Sequence, residues 1–265
     1  MIVPSLESVK RIEQQFRTGE EPVVVMCTDL HRYVCKYMRS SASAYKLACE
    51  FIGATMAKLW QIKTPEIALV KIKALHWEGI NISHCVSAPS IGNRWLNTVI
   101  DVTPTSYLSI PSKERQLNQL MKIALFDFWV ANEDRNANNS NLMYDLVEEQ
   151  LVSIDYGCIF NTATFDYPLS QLTSTDTILW SDLFQHLAKE QGKDLIISQA
   201  HRLKNYYENC LSKCLLQINQ ITAALPNEWN LKQETANEKM NQLFDKQWTE
   251  GVWNNFIQCL NENIA

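Results

Sequence analysis

Between residues 44 and 60, apolar side chains return at three- and four-residue steps: Tyr45, Ala48, Cys49, Ile52, Met56 and Leu59. That spacing predicts an amphipathic helix entered through the polar segment Ser40–Ser43. A second stripe, Leu117, Leu120, Met121, Ala124 and Phe128, follows Ser112, a candidate N-cap. Further periodic segments predict helices near 178–189, 194–223, 232–244 and 246–263, the last with Trp248, Val252, Phe256 and Leu260 on one face. The first hundred residues are patterned differently. Residues 8–16, 22–27, 33–37, 65–73 and 97–102 are short segments that predict strands. Pro104 and Pro111 flank polar turn residues and place a boundary near 103–112. The pattern therefore predicts an α+β protein with a strand-rich lobe over 1–108 and a mostly helical lobe over 109–265. The connection between them falls within 74–108.

Composition narrows the class. A chain of 265 residues is long enough for one large domain or two lobes with a sizeable core. Apolar and charged fractions are ordinary for a soluble globular protein, and no apolar run is long enough to span a bilayer, so no membrane partner is expected. The start, MIVPSLESVKRIEQQF, lacks the basic and apolar regions of a signal peptide, which predicts a cytoplasmic protein. A net charge of −5 supplies no global basic field for direct nucleic acid binding. The eight cysteines form no CxxC pair and the five histidines sit apart, which argues against zinc. Buried reduced thiols are expected, with Cys27 and Cys35 placed to face each other across a hairpin.

The chemistry concentrates in residues 125–160, LFDFWVANEDRNANNSNLMYDLVEEQLVSIDYGCIF. An apolar run ends in Asn132-Glu133-Asp134-Arg135; a polar loop and two strand-like segments follow, and the second delivers Asp155-Tyr156-Gly157. Asp134 followed five positions later by Asn139 has the spacing of a protein-kinase catalytic loop, where the aspartate takes the acceptor hydroxyl's proton and the asparagine holds magnesium. A second aspartate before a glycine-bearing turn supplies the other oxygen ligand for the metal. Turn and capping residues of the same types could produce such a string without catalysis. The order helix, polar loop, hairpin, Asp-x-Gly favours phosphoryl transfer.

Upstream, Lys36 interrupts the apolar strand Tyr33-Val34-Cys35-Lys36-Tyr37, and Glu50 lies off the helical stripe on a face with Gly53, Ala54 and Ala57. A strand lysine followed by a helix glutamate is the order of the ion pair that positions nucleotide phosphates in kinases. Two solvated surface charges would have the same spacing.

In order and spacing, these segments resemble the HipA-like kinases. FRTGEEPVVV, VCKYM with CEFIGATMAKLWQIKTPEIALV behind it, LFDFWVANEDRNANNSNL, SIDYG and the late ALPNEWNL carry the likeness, from Val9 to about Trp229. The resemblance implies a two-lobed protein-kinase-like fold and an ATP- and Mg²⁺-dependent kinase acting on a serine or threonine hydroxyl of a protein. It implies that Lys36 contacts phosphates together with the loop at Thr18 and Gly19. It further implies that Glu50 orients Lys36, that Asp134 is the base, and that Asn139 and Asp155 hold magnesium. A protein substrate or a regulatory partner protein is the implied partner. Asn136 stands where these relatives often have histidine, a change expected to alter loop packing more than chemistry. The phosphate loop has a single glycine, Gly19, followed by Glu20 and Glu21, whose carboxylates repel a triphosphate unless they point away or act through metal.

Other functions fit parts of this pattern. A lipid or small-molecule kinase shares a related Asp-Arg…Asn loop, a related fold transfers AMP, and a pseudokinase would keep the lobes as a binding module. One absence bears on the lipid kinase. From Asn136 to Ala188 there is no lysine or arginine, whereas Asp145, Glu148, Glu149, Asp155, Asp166, Asp176 and Asp182 all lie there. A phosphorylated headgroup calls for cationic donors, so a neutral or basic protein acceptor is expected.

Overall fold

In the computed structural model, which describes residues 3–80 and 88–264, six strands assemble into one sheet. They are β1 (Ser5–Glu7), β2 (Gln14–Gln15), β3 (Val23–Met26), β4 (Arg32–Lys36), β5 (Ile67–Lys71) and β6 (Ser90–Arg94), in the order β1-β5-β6-β4-β3-β2. The strand expected over 8–16 shrinks to the two residues of β2. Lys10, Arg11 and Glu13 are exposed there, and the Ile12 N–H bonds the carbonyl of His76 instead of a neighbouring strand. Three-residue β1 pairs in parallel with β5, a partnership too short and too distant in sequence to leave a periodic signal.

Strand β4 shows why Lys36 sits in an apolar run. Side chains alternate across a sheet. Tyr33 and Cys35 join a core with Val70, Ile72 and Trp77, while Val34 and Lys36 take the opposite face and line a cleft. The cysteines behave as thiols: Cys27 and Cys35 are free and buried in one cluster, but Cys35 stands opposite Val23 in the ladder, so the two are not cross-strand partners. Cys85 lies outside the described residues.

The helix α1 (Ser41–Leu59) begins with a capping box between Ser40 and Ser43. It is buried on more faces than a single stripe predicts, because Leu47, Phe51, Ala54 and Ala57 are covered as well. One side meets the sheet; another meets the segment ALPNEWNL, where the Trp229 indole donates to the Pro89 carbonyl and its ring meets Phe51 edge-on.

After β6 the chain crosses at residues 95–98 into a second, three-stranded sheet of β7 (Val99–Asp101), β8 (Leu142–Asp145) and β9 (Gln150–Ser153). The helix α2 (Glu114–Val130) precedes β8. Its N-cap is Lys113, without a side-chain bond; the Ser112 hydroxyl donates instead to the carbonyls of His186 and Leu187, which corrects the expected cap. Beyond β9, residues 160–163 of the short turn α3 (Ile159–Ala163) all have left-handed backbone angles. The helical layer is completed by α4 (Asp182–Lys189), α5 (Lys193–Leu215), α6 (Ile218–Ala223), α7 (Gln233–Gln242) and α8 (Lys246–Asn263). The helix expected over 194–223 breaks in two at Leu216 and Gln217, and Leu216 is exposed. Among the described residues no helix is long and apolar enough to cross a membrane.

Candidate active site

The cleft between the two sheets begins where β4, α1 and the exit of β9 converge. Lys36 Nζ lies 3.0 Å from Glu50 Oε2 and 2.6 Å from Asp155 Oδ1. Glu50 is fully buried, a position a carboxylate tolerates only when its lone pairs are used. Besides Lys36, it accepts from the Tyr156 backbone N–H at 2.9 Å and from Asn93 Nδ2 at 3.1 Å. The face that Glu50 shares with Gly53, Ala54 and Ala57 is buried, so Lys36 and Glu50 are not two solvated surface charges. The small residue Gly53, one turn on, makes this possible. A Cβ there would fall inside van der Waals contact of the Tyr156 side chain, so glycine lets α1 close onto the Asp155-Tyr156-Gly157 segment.

Burial alone would lower the affinity of Lys36 for its proton, but the carboxylates of Glu50, Asp155 and Glu20 outweigh it and hold the ammonium well above its ordinary value. Burial raises Asp155 while Lys36 and the Gly157 N–H lower it, and the net direction is downward, so it is ionised. Burial pushes Glu50 upward against the opposing pull of Lys36. Asp155 has a positive φ of 58°, a left-handed conformation that directs the chain back under α1.

The second group of candidates lies on the loop after α2. That helix ends at Ala131 in a left-handed cap, and Asn132 and Arg135 fold back on Asp127. Arg135 Nε donates to Asp127 Oδ2 at 2.8 Å, Asn132 Nδ2 donates to Asp127 Oδ1 at 2.9 Å, and Arg135 also donates to the carbonyls of Ser140 and Asn141. This buried knot holds both ends of the loop. Inside it, Asp134 is half-buried, and its Oδ2 accepts from Asn139 Nδ2 at 3.0 Å and Asn141 Nδ2 at 2.8 Å. Asn136 braces the loop: its Oδ1 accepts from the N–H groups of Asn138 and Asn139, and its amide donates to the Glu133 carbonyl.

The two groups are joined through their chain neighbours. The half-buried Cys158 thiol is raised to about 11, first by burial and then by the nearby charges of Asp134, Asp155 and Glu20, against Lys46. The link is also direct in the core, where the Arg135 guanidinium lies over the Tyr156 ring at 5.3 Å. Glu133 continues it outward, accepting from Asn161 Nδ2 at 2.7 Å and Thr162 Oγ1 at 3.0 Å, and so pins the left-handed turn of α3 beside the loop.

Next to Lys36 the cleft opens into a slot of about 390 Å³ whose walls include Val34, Pro65, Leu96, Val99, Met143 and Ile154. Phe16 and Pro22 line it from the hairpin of β2 and β3, and Trp95 from the crossing segment. Thr18 and Gly19 lie exposed at the tip of that hairpin, where the Glu21 N–H bonds the Thr18 carbonyl at 2.9 Å. A Cβ on Gly19 would meet nothing within 4 Å, so the fold itself does not demand glycine there.

Sequence reasoning missed Asn93, Asn141, Lys46 and the slot residues. Asn93 carried no usable signal, because Ser90–Arg94 reads as a polar loop and becomes a strand only through its pairing with β4 and β5. The slot walls carried none, because their apolar side chains come from five separate segments.

Among the described residues no three His, Cys, Asp or Glu side chains cluster as a metal site. The donor set still suits magnesium, which takes few protein ligands and completes its shell with phosphate oxygens and water. Asp155 Oδ2 and Asn139 Oδ1 have no protein donor among the described residues, and both are hard oxygens of the required type. The slot and Lys36 likewise suit a nucleotide, offering an apolar surface for a base and a cation at its inner end.

A family model described as HipA-like kinase matches residues 9–254. The fold is similar to the crystal structure of a Helicobacter pylori proinflammatory kinase, CtkA, with a TM-score of 0.55 and 14% sequence identity, covering 98% of this chain and 99% of that one. No curated protein matches the chain. At that level of identity the structural likeness speaks for the fold.

Proposed function

The chain belongs to the HipA-like kinase family, and from that premise we propose that it uses ATP and Mg²⁺ to phosphorylate a serine or threonine hydroxyl on a neutral or basic protein. The observation that carries this reading is the Lys36–Glu50–Asp155 cluster at one end of an apolar slot, with the Asp134 loop held against it where Arg135 lies over Tyr156. The slot receives the adenine ring. Lys36, kept protonated by its three carboxylates, presents its ammonium to phosphate oxygens. Glu50 fixes the position of Lys36 and is itself fixed by Asn93 and the Tyr156 N–H. Asp155 and Asn139 would hold magnesium, which supplies neutralisation of charge on the transferred phosphoryl group.

Asp134 acts as the base. Asn139 and Asn141 both engage its Oδ2, which leaves Oδ1 for the acceptor hydroxyl. The hydroxyl proton passes to that oxygen as the acceptor oxygen bonds the γ-phosphorus and the bond from that phosphorus to the β,γ-bridging oxygen breaks, releasing ADP. A hollow of about 230 Å³ beside Asn139 is lined by Thr103, Asn138, Ser140, Ser181 and Asp182 among others, with no lysine or arginine among its lining residues. Together with the cation-free run 136–188, this lining supports a neutral or basic acceptor over a phosphoinositide.

The test is mass spectrometry after incubation with Mg-ATP, beside transfer assays with basic, neutral and acidic Ser/Thr peptides and with phosphoinositide vesicles. Addition of a phosphoryl group to basic or neutral peptides is expected. Addition of AMP, or preferential labelling of vesicles, would overturn the assignment.

A further inference from the structure

The hairpin that bears Thr18 and Gly19 is folded inward, and its two glutamates part company. Glu21 turns away, 3.0 Å from Arg39 Nη2, and the same guanidinium holds the Gly19 carbonyl at 3.1 Å. Glu20 turns into the cleft. One carboxylate oxygen is 3.7 Å from Lys36 Nζ and the other is 3.2 Å from Lys46 Nζ. Lys46 stands one helical turn before Glu50 on α1, so both side chains leave the same face of the helix. Its carbonyl lies close to Gly157, and its charge, like those of Asp134, Asp155 and Glu20, reaches the Cys158 thiol. Two ammonium groups therefore face one point in the cleft, and a carboxylate bridges them.

We propose that Lys46 is a second phosphate-binding residue, and that Glu20 is a built-in counter-anion, bridging Lys36 and Lys46 until a nucleotide's phosphates displace it. The inference rests on the nucleotide reading of the cleft. A carboxylate shared by two lysines has the charge and hydrogen-bonding pattern of a phosphate's non-bridging oxygens. An isolated surface pair of this kind would mean little. Here one partner is the buried Lys36, which already has Glu50 and Asp155, so Glu20 is a third and replaceable anion on it. Its replacement by phosphate keeps both ammonium groups paired. The Arg39–Glu21 pair and the Arg39–Gly19 bond keep the hairpin tip tethered while Glu20 moves. This arrangement resolves the electrostatic objection to an acidic phosphate loop: Glu21 points away, and Glu20 occupies the phosphate position only in competition with the nucleotide.

Calorimetric titration of the full chain with adenosine and with ATP, with and without Mg²⁺, tests both halves. Lys46→Met should weaken ATP binding about five- to tenfold while leaving adenosine binding and Tm unchanged, since only the phosphates meet Lys46. Lys46→Arg should restore most of the loss. Glu20→Gln should tighten ATP several-fold at low salt, the gain shrinking as salt rises, and Glu21→Gln, which weakens only the tether to Arg39, should give no such gain. Binding of ATP that Lys46→Met leaves intact would overturn this inference alone. Weaker ATP binding in Glu20→Gln would make Glu20 a metal or loop-holding ligand and overturn the counter-anion. A wild-type protein that binds neither adenosine nor ATP would overturn the nucleotide reading itself, and this inference with it.

Discussion

Arg135 is fully buried, its guanidinium shared between Asp127 and the carbonyls of Ser140 and Asn141, whereas the adjacent Asp134 keeps a half-buried carboxylate held by two side-chain amides. The same loop thus turns Arg135 inward to hold its shape and leaves Asp134, the proposed base, half-buried. A buried ion pair contributes little net stability over a hydrophobic equivalent, but losing one partner leaves an uncompensated charge. A half-buried carboxylate held by amides is the reverse: its loss should disturb the fold slightly and, in the proposed role, remove transfer. The Asp127 carboxyl records the cost of the inward side, since burial raises it to about 6 even against Arg135 and Asn132.

Separating the two residues by mutation should expose that difference, and Arg135 should give the largest effect. Arg135→Ala should cost about 3–5 kcal/mol of stability near neutral pH, read as a lower denaturation midpoint. Without the guanidinium, the folded-state value for Asp127 rises further. At acidic pH the carboxyl is then neutral and needs no partner, so the destabilisation should shrink as pH falls from 8 to 5. A loss independent of pH would mean that packing, not charge, is the inward role.

Asp134→Asn should do the opposite, leaving the midpoint near wild type while transfer falls about 10²–10⁴-fold. Nucleotide binding should survive in this variant but be lost in its metal-dependent part in Asp155→Asn, because a metal ligand serves the ground-state complex too. Equal loss of binding in both would erase the division of roles.

Gly53→Ala carries the comparison to the far wall of the cleft. Pressing a methyl group against Tyr156 should cost about 1–3 kcal/mol and loosen the contact between α1 and the Asp155 segment, lowering both stability and transfer. Unchanged stability would show that the close approach is not needed. The smallest effect is expected from Asn141→Ala. Removing one amide from Asp134 should change stability by about 0.5–1.5 kcal/mol. Transfer should fall more than the midpoint does if Asn141 orients the base.

Lys36, Glu50 and Asp155, and Asp134 with Asn139, were singled out from local order along the chain, a strand, a helix, a loop of fixed length and a hairpin, and the structure brings the members of each set together. The helices and the α+β class were legible for the same reason, since periods of two and of three to four residues are written locally. The sequence also showed that an acidic phosphate loop posed a problem. Only the tertiary structure decided the rest. It set the direction of each glutamate in that loop, the full burial of Glu50 between Asn93 and the Tyr156 N–H, and the turning of Arg135 towards Asp127. It also replaced the expected strand over 8–16 by a two-residue ladder and moved Ser112 from a cap to a brace on His186 and Leu187. Each of these depends on which distant group offers a hydrogen bond or a counter-charge. Such pairings are decided by desolvation in the packed core, and they leave no period along the chain.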